Sequence, residues 1–214
     1  MRVLSVDTCL AASSVAVIED GRALAARSEP MTRGHQERIA PLAKQVAAEA
    51  GIAFSDLDRI AVTVGPGSFT GLRVGLSFAK GLAEALGIPC VGVNSLEALA
   101  ASTGAAGFVA AALDAKMGQV YLQVFDGATA LMAPDALDIG AATARLAELY
   151  SGGPAIVAGS GAALLDGVLP GATRQDLAFA DPVAIARLAA ARPAPAHSPR
   201  PLYLRAPYAT MPAA

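Results

Sequence analysis

Apolar residues recur along this chain at two spacings, and the two spacings predict an alternation of strands and helices. Runs in which β-branched and apolar residues dominate over four to eight positions indicate strands, and apolar positions three or four apart indicate helices. The predicted strands are 2–8, 14–19, 24–27, 60–64, 90–93, 109–114, 120–125 and 156–158. The predicted helices are 35–50, 70–86, 95–101, 139–150 and 182–192, with Ser95 as the cap of the third. The order favours an α/β fold in which a meander precedes a βαβ unit.

The second half of the chain repeats the pattern of the first. Residues 109–114 form an apolar run that closes on Asp114, just as 3–7 close on Asp7, and the two aspartates lie half a chain apart. Each aspartate is followed by a turn of small residues and another strand. The repeat predicts two domains of mixed sheet flanked by helices, 1–105 and 106–192.

The last part of the chain differs in composition from the rest. Six of the residues in 193–214 are proline. Proline removes a backbone donor and breaks helices, so this tail is predicted to run extended over the surface. Residues 202–204, Leu-Tyr-Leu, are its one segment apolar enough to dock.

Residues 65–73, Gly-Pro-Gly-Ser-Phe-Thr-Gly-Leu-Arg, join a predicted strand to the longest predicted helix. One interpretation is a phosphate site, because unpaired N–H groups lie at the positive end of the helix. The other is a tight connector capped by Ser68 or Thr70. The loop lacks the lysine of a Walker A motif and the third glycine of a dinucleotide fingerprint. The candidate nucleotide or phosphate residues are Asp7, Thr8, Gly65, Gly67, Ser68 and Asp114.

The helix at 70–86 has one narrow polar stripe, and apolar residues occupy the remainder of its surface. Small residues also recur every fourth position at Gly71, Gly75 and Ala79, which would let another element approach closely. Such a helix is either enclosed by its own domain or covered by a partner. The candidate partner-binding residues on this helix and on 35–50 are Ile39, Leu42, Val46, Leu72, Gly75, Leu76 and Ala79.

The composition of the chain argues against several classes of function. A net charge of −2 gives no electrostatic footprint for autonomous binding to nucleic acid. The two histidines, His35 and His197, and the two cysteines, Cys9 and Cys90, do not form a metal or redox motif, and no catalytic triad is visible. The first predicted strand begins at residue 2, and the sequence has no long apolar run without charged residues. We therefore expect a cytoplasmic protein that does not bind membranes.

Several motifs taken in order resemble one bacterial family. They are Asp7-Thr8 after the first strand, His35-x-Glu37, the loop 65–73, Asp-Ala-Lys-Met-Gly-Gln-Val-Tyr at 114–121, and Pro-Leu-Tyr-Leu-Arg at 201–205. Over nearly its whole length the chain resembles the TsaB (YeaZ) family. The resemblance implies a duplicated actin-like, Hsp70-like ATPase (ASKHA) fold.

The resemblance also implies a function in tRNA modification. Members of the family act as non-catalytic scaffold and activator of the catalytic paralogue TsaD, which makes the threonylcarbamoyladenosine (t6A) base of tRNA, with the ATPase TsaE as a further component. Pairing with TsaD is expected through helices of the first domain, with homodimers in its absence, and tRNA is reached only through the complex. Whether ATP or ADP binds at the complex interface stays open.

One local comparison bears on catalysis. The catalytic paralogue looks like Val-Asn-His-Met-Glu-Gly-His where this chain has Val-Asn-Ser-Leu-Glu-Ala-Leu at 93–99. Ser95 and Leu99 cannot replace the two metal-binding imidazoles, which argues against a metal-dependent transferase or peptidase. An alternative, a small-molecule kinase or another nucleotide-binding enzyme on the same fold, is favoured by the two aspartates and the two glycine turns.

Overall fold

The structure, a computed structural model, describes residues 1–205, so residues 206–214 of the predicted tail lie outside it. The first half builds a five-stranded sheet in the order β3-β2-β1-β4-β5. Strand β2 is antiparallel to β1 and β3, whereas β4 and β5 run parallel to β1. The strands are β1 (Arg2–Asp7), β2 (Ala12–Glu19), β3 (Arg22–Pro30), β4 (Arg59–Thr63) and β5 (Cys90–Val93).

The second half builds a sheet of the same design, in the order β11-β10-β6-β7-β8, with β9 also paired to β7. Its strands are β6 (Phe108–Lys116), β7 (Gln119–Asp126), β8 (Thr129–Ala130), β9 (Asp135–Asp138), β10 (Ala155–Ala158) and β11 (Thr173–Gln175). Strand β6 lies in the middle of this sheet, as β1 does in the first. It is antiparallel to β7 and parallel to β10. The predicted duplication is confirmed at the level of topology.

Five helices connect and cover the strands within residues 1–205. They are α1 (His35–Glu49), α2 (Phe69–Leu86), α3 (Ser95–Ser102), α4 (Ile139–Leu149) and α5 (Pro182–Ala190). Ser68 caps α2 by accepting a hydrogen bond from the Gly71 N–H. The cap of α3 is Asn94, not Ser95 as predicted, because the Asn94 side chain reaches the Leu96 N–H and Ser95 is already helical and buried. None of these helices is long and apolar enough to cross a bilayer.

The second glycine turn leads into a different element from the first. After Gly159 and Gly161 the chain forms only the short 3-10 turn Ala162–Leu165, where the first half has the 18-residue helix α2. The sequence around Gly159 and Gly161 predicts a passage from strand to helix, and the helix there is a single 3-10 turn. In the described part of the chain, the first half alone presents a long helix pair, α1 and α2.

The two halves share a core. Helix α3 packs on strands of the second sheet, and α5 packs on strands of the first, so each half covers the other. Buried apolar residues of both sheets meet there, among them Val3, Ile18, Leu99, Val109 and Ile185. A separate cluster on the other face of the first sheet is formed with α1 and α2. The predicted domain limits at 105 and 192 stay a prediction. Helix α5 falls within the predicted second domain but packs on the first sheet.

The described part of the tail crosses the first half without forming a helix or a strand and reaches the second half at Arg205. The Leu202 N–H donates to the Val64 carbonyl oxygen at 2.7 Å. The Tyr203 ring lies 5.5 Å from the Phe69 ring, centroid to centroid. Residues 193–205 form no helix or strand, and bends lie at 196–197 and 204–205, so a continuously extended course stays a prediction. The segment that packs on the first half is the predicted 202–204.

Two glycines of α2 give a matched pair of stability predictions. A Cβ at Gly71 would meet the Thr8 carbonyl oxygen, whereas no atom of the described residues lies within 4 Å of a Cβ at Gly81. We expect Gly71→Ala to lower the free energy of unfolding by ~1–3 kcal/mol through overpacking. Gly81→Ala should raise it by about 0.5–1 kcal/mol through helix propensity. Urea denaturation measures both, and equal effects would contradict this packing of α2.

Candidate functional site

The glycine loop before α2 closes on the turn that comes after β1. The Ser68 N–H donates to the Cys9 carbonyl oxygen at 2.8 Å, and the Thr8 hydroxyl donates to the Gly71 carbonyl oxygen at 2.6 Å. A Cβ on Gly67 would collide with the Cys9 carbonyl oxygen. The loop glycines therefore serve close internal packing, and the Ser68 amide is already occupied. The connector interpretation accounts for Gly67, Ser68 and Gly71.

Asp7 lies at the end of β1 and is fully buried. Its Oδ1 accepts hydrogen bonds from the Thr63 hydroxyl at 2.5 Å and from the Cys9 N–H at 2.8 Å, while Oδ2 has no hydrogen-bond partner among the described residues. Burial raises the pKa of Asp7, and the bonds from Thr63 and Cys9 offset part of that rise. Thr8 is also buried. These two candidates thus hold the turn together and do not face the space between the halves.

Asp114 occupies the equivalent place in the second half, yet its side chain is 29% exposed. Its carboxylate accepts from the Lys116 ammonium and backbone N–H, each at 2.7 Å, and this pairing lowers the pKa of Asp114. The Asp114 N–H donates to the Ser160 hydroxyl oxygen at 3.2 Å. The two aspartates that the sequence pairs are therefore unlike in environment.

A cavity of about 370 Å³ lies between the two halves. Its polar lining includes Ser68, Asp114, Lys116 and Ser160, beside Gly67. Of the six candidate phosphate residues, the structure brings only Gly67, Ser68 and Asp114 to this cavity. Gly65 instead lies under the tail, where a Cβ would be 3.0 Å from the Leu202 carbonyl oxygen.

The two cysteines and His35 are buried. Burial raises the pKa of the Cys9 thiol, and it raises that of Cys90 to about 11. Both cysteines are free and buried, as predicted. His35 begins α1, is buried, and shares a 2.8 Å hydrogen bond with the Ser13 hydroxyl, and burial lowers its pKa. These groups stabilise the fold.

An open groove lies on the outer side of the pair α1 and α2. It has a volume of about 490 Å³. Its lining residues are Gln36, Ile39, Ala40, Phe69, Thr70, Arg73, Val74, Ser77 and Phe78. Phe69 at its end is 41% exposed, and Val74 and Phe78 are half-buried. We call this surface the α1–α2 groove.

The seven partner-binding candidates require a correction. All seven are buried against the first sheet and its neighbours: Ile39, Leu42, Val46, Leu72, Gly75, Leu76 and Ala79. The strongest apolar periodicity of a helix identifies the face that packs on its own sheet, and only Ile39 also lines the groove. Gly75 faces Thr8, whose hydroxyl oxygen would lie 2.6 Å from a Cβ there. The small-residue ridge accommodates the turn after β1.

Most residues that line the groove were not among the partner-binding candidates, although the sequence carries a weaker signal for them. Val74 and Phe78 are apolar, four residues apart, and offset from the stripe of Leu72, Leu76 and Ala79. A second apolar stripe on one helix indicates a second covered face. Phe69 and Arg73, four residues apart, form a neighbouring row on the groove side, with the Arg73 guanidinium carbon 3.9 Å from the Phe69 ring centroid.

Comparison with known proteins places the chain in a family. A family model described as TsaD, tRNA N6-adenosine threonylcarbamoyltransferase, matches residues 28–194. A crystal structure of a Pseudomonas aeruginosa protein, described as similar to the peptidase YeaZ, superposes with a TM-score of 0.83 at 31% identity, over 95% of this chain and 99% of that one. The chain belongs to the TsaB (YeaZ) family.

Curated TsaB relatives agree with this assignment. The tRNA threonylcarbamoyladenosine biosynthesis protein TsaB of Escherichia coli is 40% identical over 56% of this chain and 53% of its own length. The TsaB protein of Bacillus subtilis is 34% identical over 58% of this chain and 55% of its own length. The matched part therefore spans about half the length of these curated relatives. The duplicated sheets are the actin-like ATPase fold that the sequence predicted.

The two residues of α3 that the resemblance singled out in place of histidines lie inside the protein. Ser95 and Leu99 are both fully buried on α3. In the part of the chain that the structure describes, no three side chains among His, Cys, Asp and Glu are grouped closely enough to hold a metal ion.

Asp7 gives a prediction for stability as a function of pH. Because its pKa is raised in the folded protein, its contribution to stability is greatest below the unfolded pKa of about 4 and is lost as pH rises through the folded pKa. Asp7→Asn stays neutral and keeps an oxygen acceptor for Thr63 and Cys9. The variant should therefore gain stability relative to the parent as pH rises above about 4.

Asp114→Asn is the matched control with the opposite sign. The pKa of Asp114 is lowered in the folded protein, so its contribution to stability is present above the unfolded pKa and is lost on acidification. This variant should lose stability relative to the parent over the same rise in pH. Urea denaturation across a pH series measures both, and parallel curves for parent and Asp7→Asn would contradict a buried Asp7.

Proposed function

We propose that this chain is a non-catalytic subunit of the t6A-modifying machinery of tRNA and that it binds the catalytic paralogue TsaD through the α1–α2 groove. The observation that carries the proposal is the groove itself, an open and largely apolar surface on the only long helix pair in residues 1–205. Membership of the TsaB family supplies the process, since the curated relatives are t6A biosynthesis proteins.

The chemistry of the groove fits a helical protein partner. Ile39, Ala40, Val74 and Phe78 supply apolar surface, while polar and charged residues such as Arg73 stand at its edge. Specific interfaces combine an apolar centre with a polar rim and are enriched in aromatic residues and arginine. An amphipathic helix laid along such a groove buries its apolar face. TsaD, as a paralogue, would offer the corresponding helix pair.

The interior of the chain supports a role without catalysis. Asp7 is enclosed, and the raised pKa values of Cys9 and Cys90 keep both thiols protonated near neutral pH. Ser95 and Leu99 supply no imidazole on α3. The transfer of the threonylcarbamoyl group is accordingly assigned to TsaD, with this chain as scaffold and activator.

The other partners derive from the same role. We propose that TsaE joins the assembled complex. We also propose that two copies of this chain form a homodimer through the α1–α2 groove when TsaD is absent, since the same apolar face is then uncovered. A net charge of −2 favours contact with tRNA through the complex and not through this chain alone. Such a role belongs in the cytoplasm, where tRNA is modified.

A second candidate function is a nucleotide-binding enzyme. The cavity between the halves favours it, because Ser68, Asp114, Lys116 and Ser160 offer polar groups to a phosphate or a sugar. Under this candidate the isolated chain would transfer phosphate from ATP to a small acceptor. Asp114→Asn should then reduce that transfer by at least about tenfold, as expected for the loss of an electrostatic contact at a reacting centre. A chain that shows no transfer, measured with radiolabelled ATP, contradicts this candidate.

Docking in the groove predicts the effect of a new charge at its centre. Ser77 is exposed and lines the groove, so Ser77→Glu leaves the fold intact but places a carboxylate where the partner must pack. We expect the dissociation constant for TsaD to rise by roughly 5- to 150-fold, the equivalent of ~1–3 kcal/mol. Isothermal titration calorimetry with purified TsaD measures it.

Ala144→Glu on α4 is the control, since Ala144 is an exposed helix position in the other half of the chain. It adds the same charge to the protein without touching the groove, and the dissociation constant should stay at the parent value. Equal binding by parent and Ser77→Glu would show that TsaD does not dock here. Failure of the parent to bind at micromolar concentration would refute the proposed function.

A further inference from the structure

The C-terminal residues 199–205, which we call the strap, sit in a seat built by glycines. Pro199 lies against Gly92 of β5, where a Cβ would be 2.9 Å from the proline Cβ. Leu202 lies over Gly65, and its N–H donates to the Val64 carbonyl oxygen at 2.7 Å. Only glycine at these two positions lets the strap approach so closely.

The strap ends on the second half of the chain. The Arg205 guanidinium donates to the Ala115 carbonyl oxygen at 2.8 Å. Residue 202 is thus fixed to the first half and residue 205 to the second. Tyr203 lies between these two anchors, which fixes the direction in which its side chain can point.

Tyr203 closes a cluster with two residues of α2. Its ring lies 5.5 Å from the Phe69 ring at an interplanar angle of 33°. The Arg73 Nε–H donates to the Tyr203 hydroxyl oxygen at 3.3 Å, and the Arg73 guanidinium lies over the Phe69 ring. Each of the three side chains contacts the other two. All three are exposed, so the cluster orders groups that would otherwise sample several rotamers.

Phe69 and Arg73 also line the α1–α2 groove, whereas Tyr203 does not. Tyr203 instead lines a neighbouring cavity of about 290 Å³ that shares Phe69 with the groove. The strap therefore contacts two of the side chains that line the groove, Phe69 and Arg73, through Tyr203. Side chains of the arginine and aromatic types are those that most often dominate the affinity of an interface.

We propose that Tyr203 is a positioning residue for partner binding, which holds Phe69 and Arg73 in the arrangement that receives the partner at the end of the α1–α2 groove. This role rests on the proposed function of the groove. Ordering a side chain before binding removes its entropic cost from the binding step, worth roughly two- to tenfold in affinity for each side chain. The strap thereby raises affinity without contacting the partner.

The test uses the full chain with Tyr203→Ala and Tyr203→Phe. Tyr203→Phe keeps the ring on Phe69 and removes the acceptor for Arg73, so it separates the hydrogen bond from the ring contact. Tyr150→Phe is the matched control, because Tyr150 lies in the second half and its ring contacts Phe108. The first readout is the Arg73 Nε–H resonance of the isolated 15N-labelled chain, and the second is the dissociation constant for TsaD.

We expect the Arg73 Nε–H resonance to move towards the average position of free arginines in both Tyr203 variants, and less in Tyr203→Phe, where the ring stays on Phe69 beside the Arg73 guanidinium. The dissociation constant should rise roughly 4- to 100-fold in Tyr203→Ala and less in Tyr203→Phe, with parent values for Tyr150→Phe. Melting temperatures close to that of the parent would show that folding is intact. An unchanged Arg73 resonance, or a changed resonance with an unchanged dissociation constant, overturns the role of Tyr203.

The two levels of the proposal fail in different ways. A parent chain that does not bind TsaD overturns the proposed function and, with it, the docking role of Tyr203. A parent chain that binds TsaD, with Tyr203→Ala binding equally well, overturns the role of Tyr203 alone.

Discussion

The close approach between the turn after β1 and the glycine face of α2 determines much of this structure. Thr8 and Cys9 contact Gly67, Gly71 and Gly75 so closely that a methyl group at any of them would collide. The contact fixes α2 on the sheet and buries Asp7 beneath the turn. It also decides which face of α2 looks outward. A helix held by its small residues presents its larger offset residues, Val74 and Phe78, to the exterior.

The duplication supplies two equivalent halves that have diverged in chemistry. Asp7 ends β1 and Asp114 lies two residues before the end of the equivalent strand β6, but the first is enclosed and the second pairs with Lys116 near the surface. The glycine turn of the first half starts an 18-residue helix, and that of the second starts a four-residue 3-10 turn. The first half alone therefore has an outer helical surface in residues 1–205, and of the two aspartates only Asp114 lines the cavity between the halves. Both differences are consistent with the proposed partner-binding role.

Sequence patterns predicted the topology well because strand and helix periods depend on local residues. The duplication and the docking of residues 202–204 derive from such patterns, whereas the pattern left the loop 65–73 open between a phosphate site and a connector. The lining of the α1–α2 groove was not predicted, because the strongest periodicity of α1 and α2 reports the buried face. Nor was the burial of Asp7, which depends on how closely α2 approaches a turn some 60 residues away in sequence. The Phe69, Arg73 and Tyr203 cluster joins residues 130 apart and has no local signal.

The central claim of the proposed function is that the outer faces of α1 and α2 form the docking surface for TsaD. Amide hydrogen exchange of the chain, measured by mass spectrometry with and without TsaD, reports on those faces peptide by peptide. We expect slower exchange in peptides that cover 36–40 and 69–78, with no change in α4. Protection confined to α4, or to the cavity residues around Asp114 and Ser160, would show that TsaD docks elsewhere.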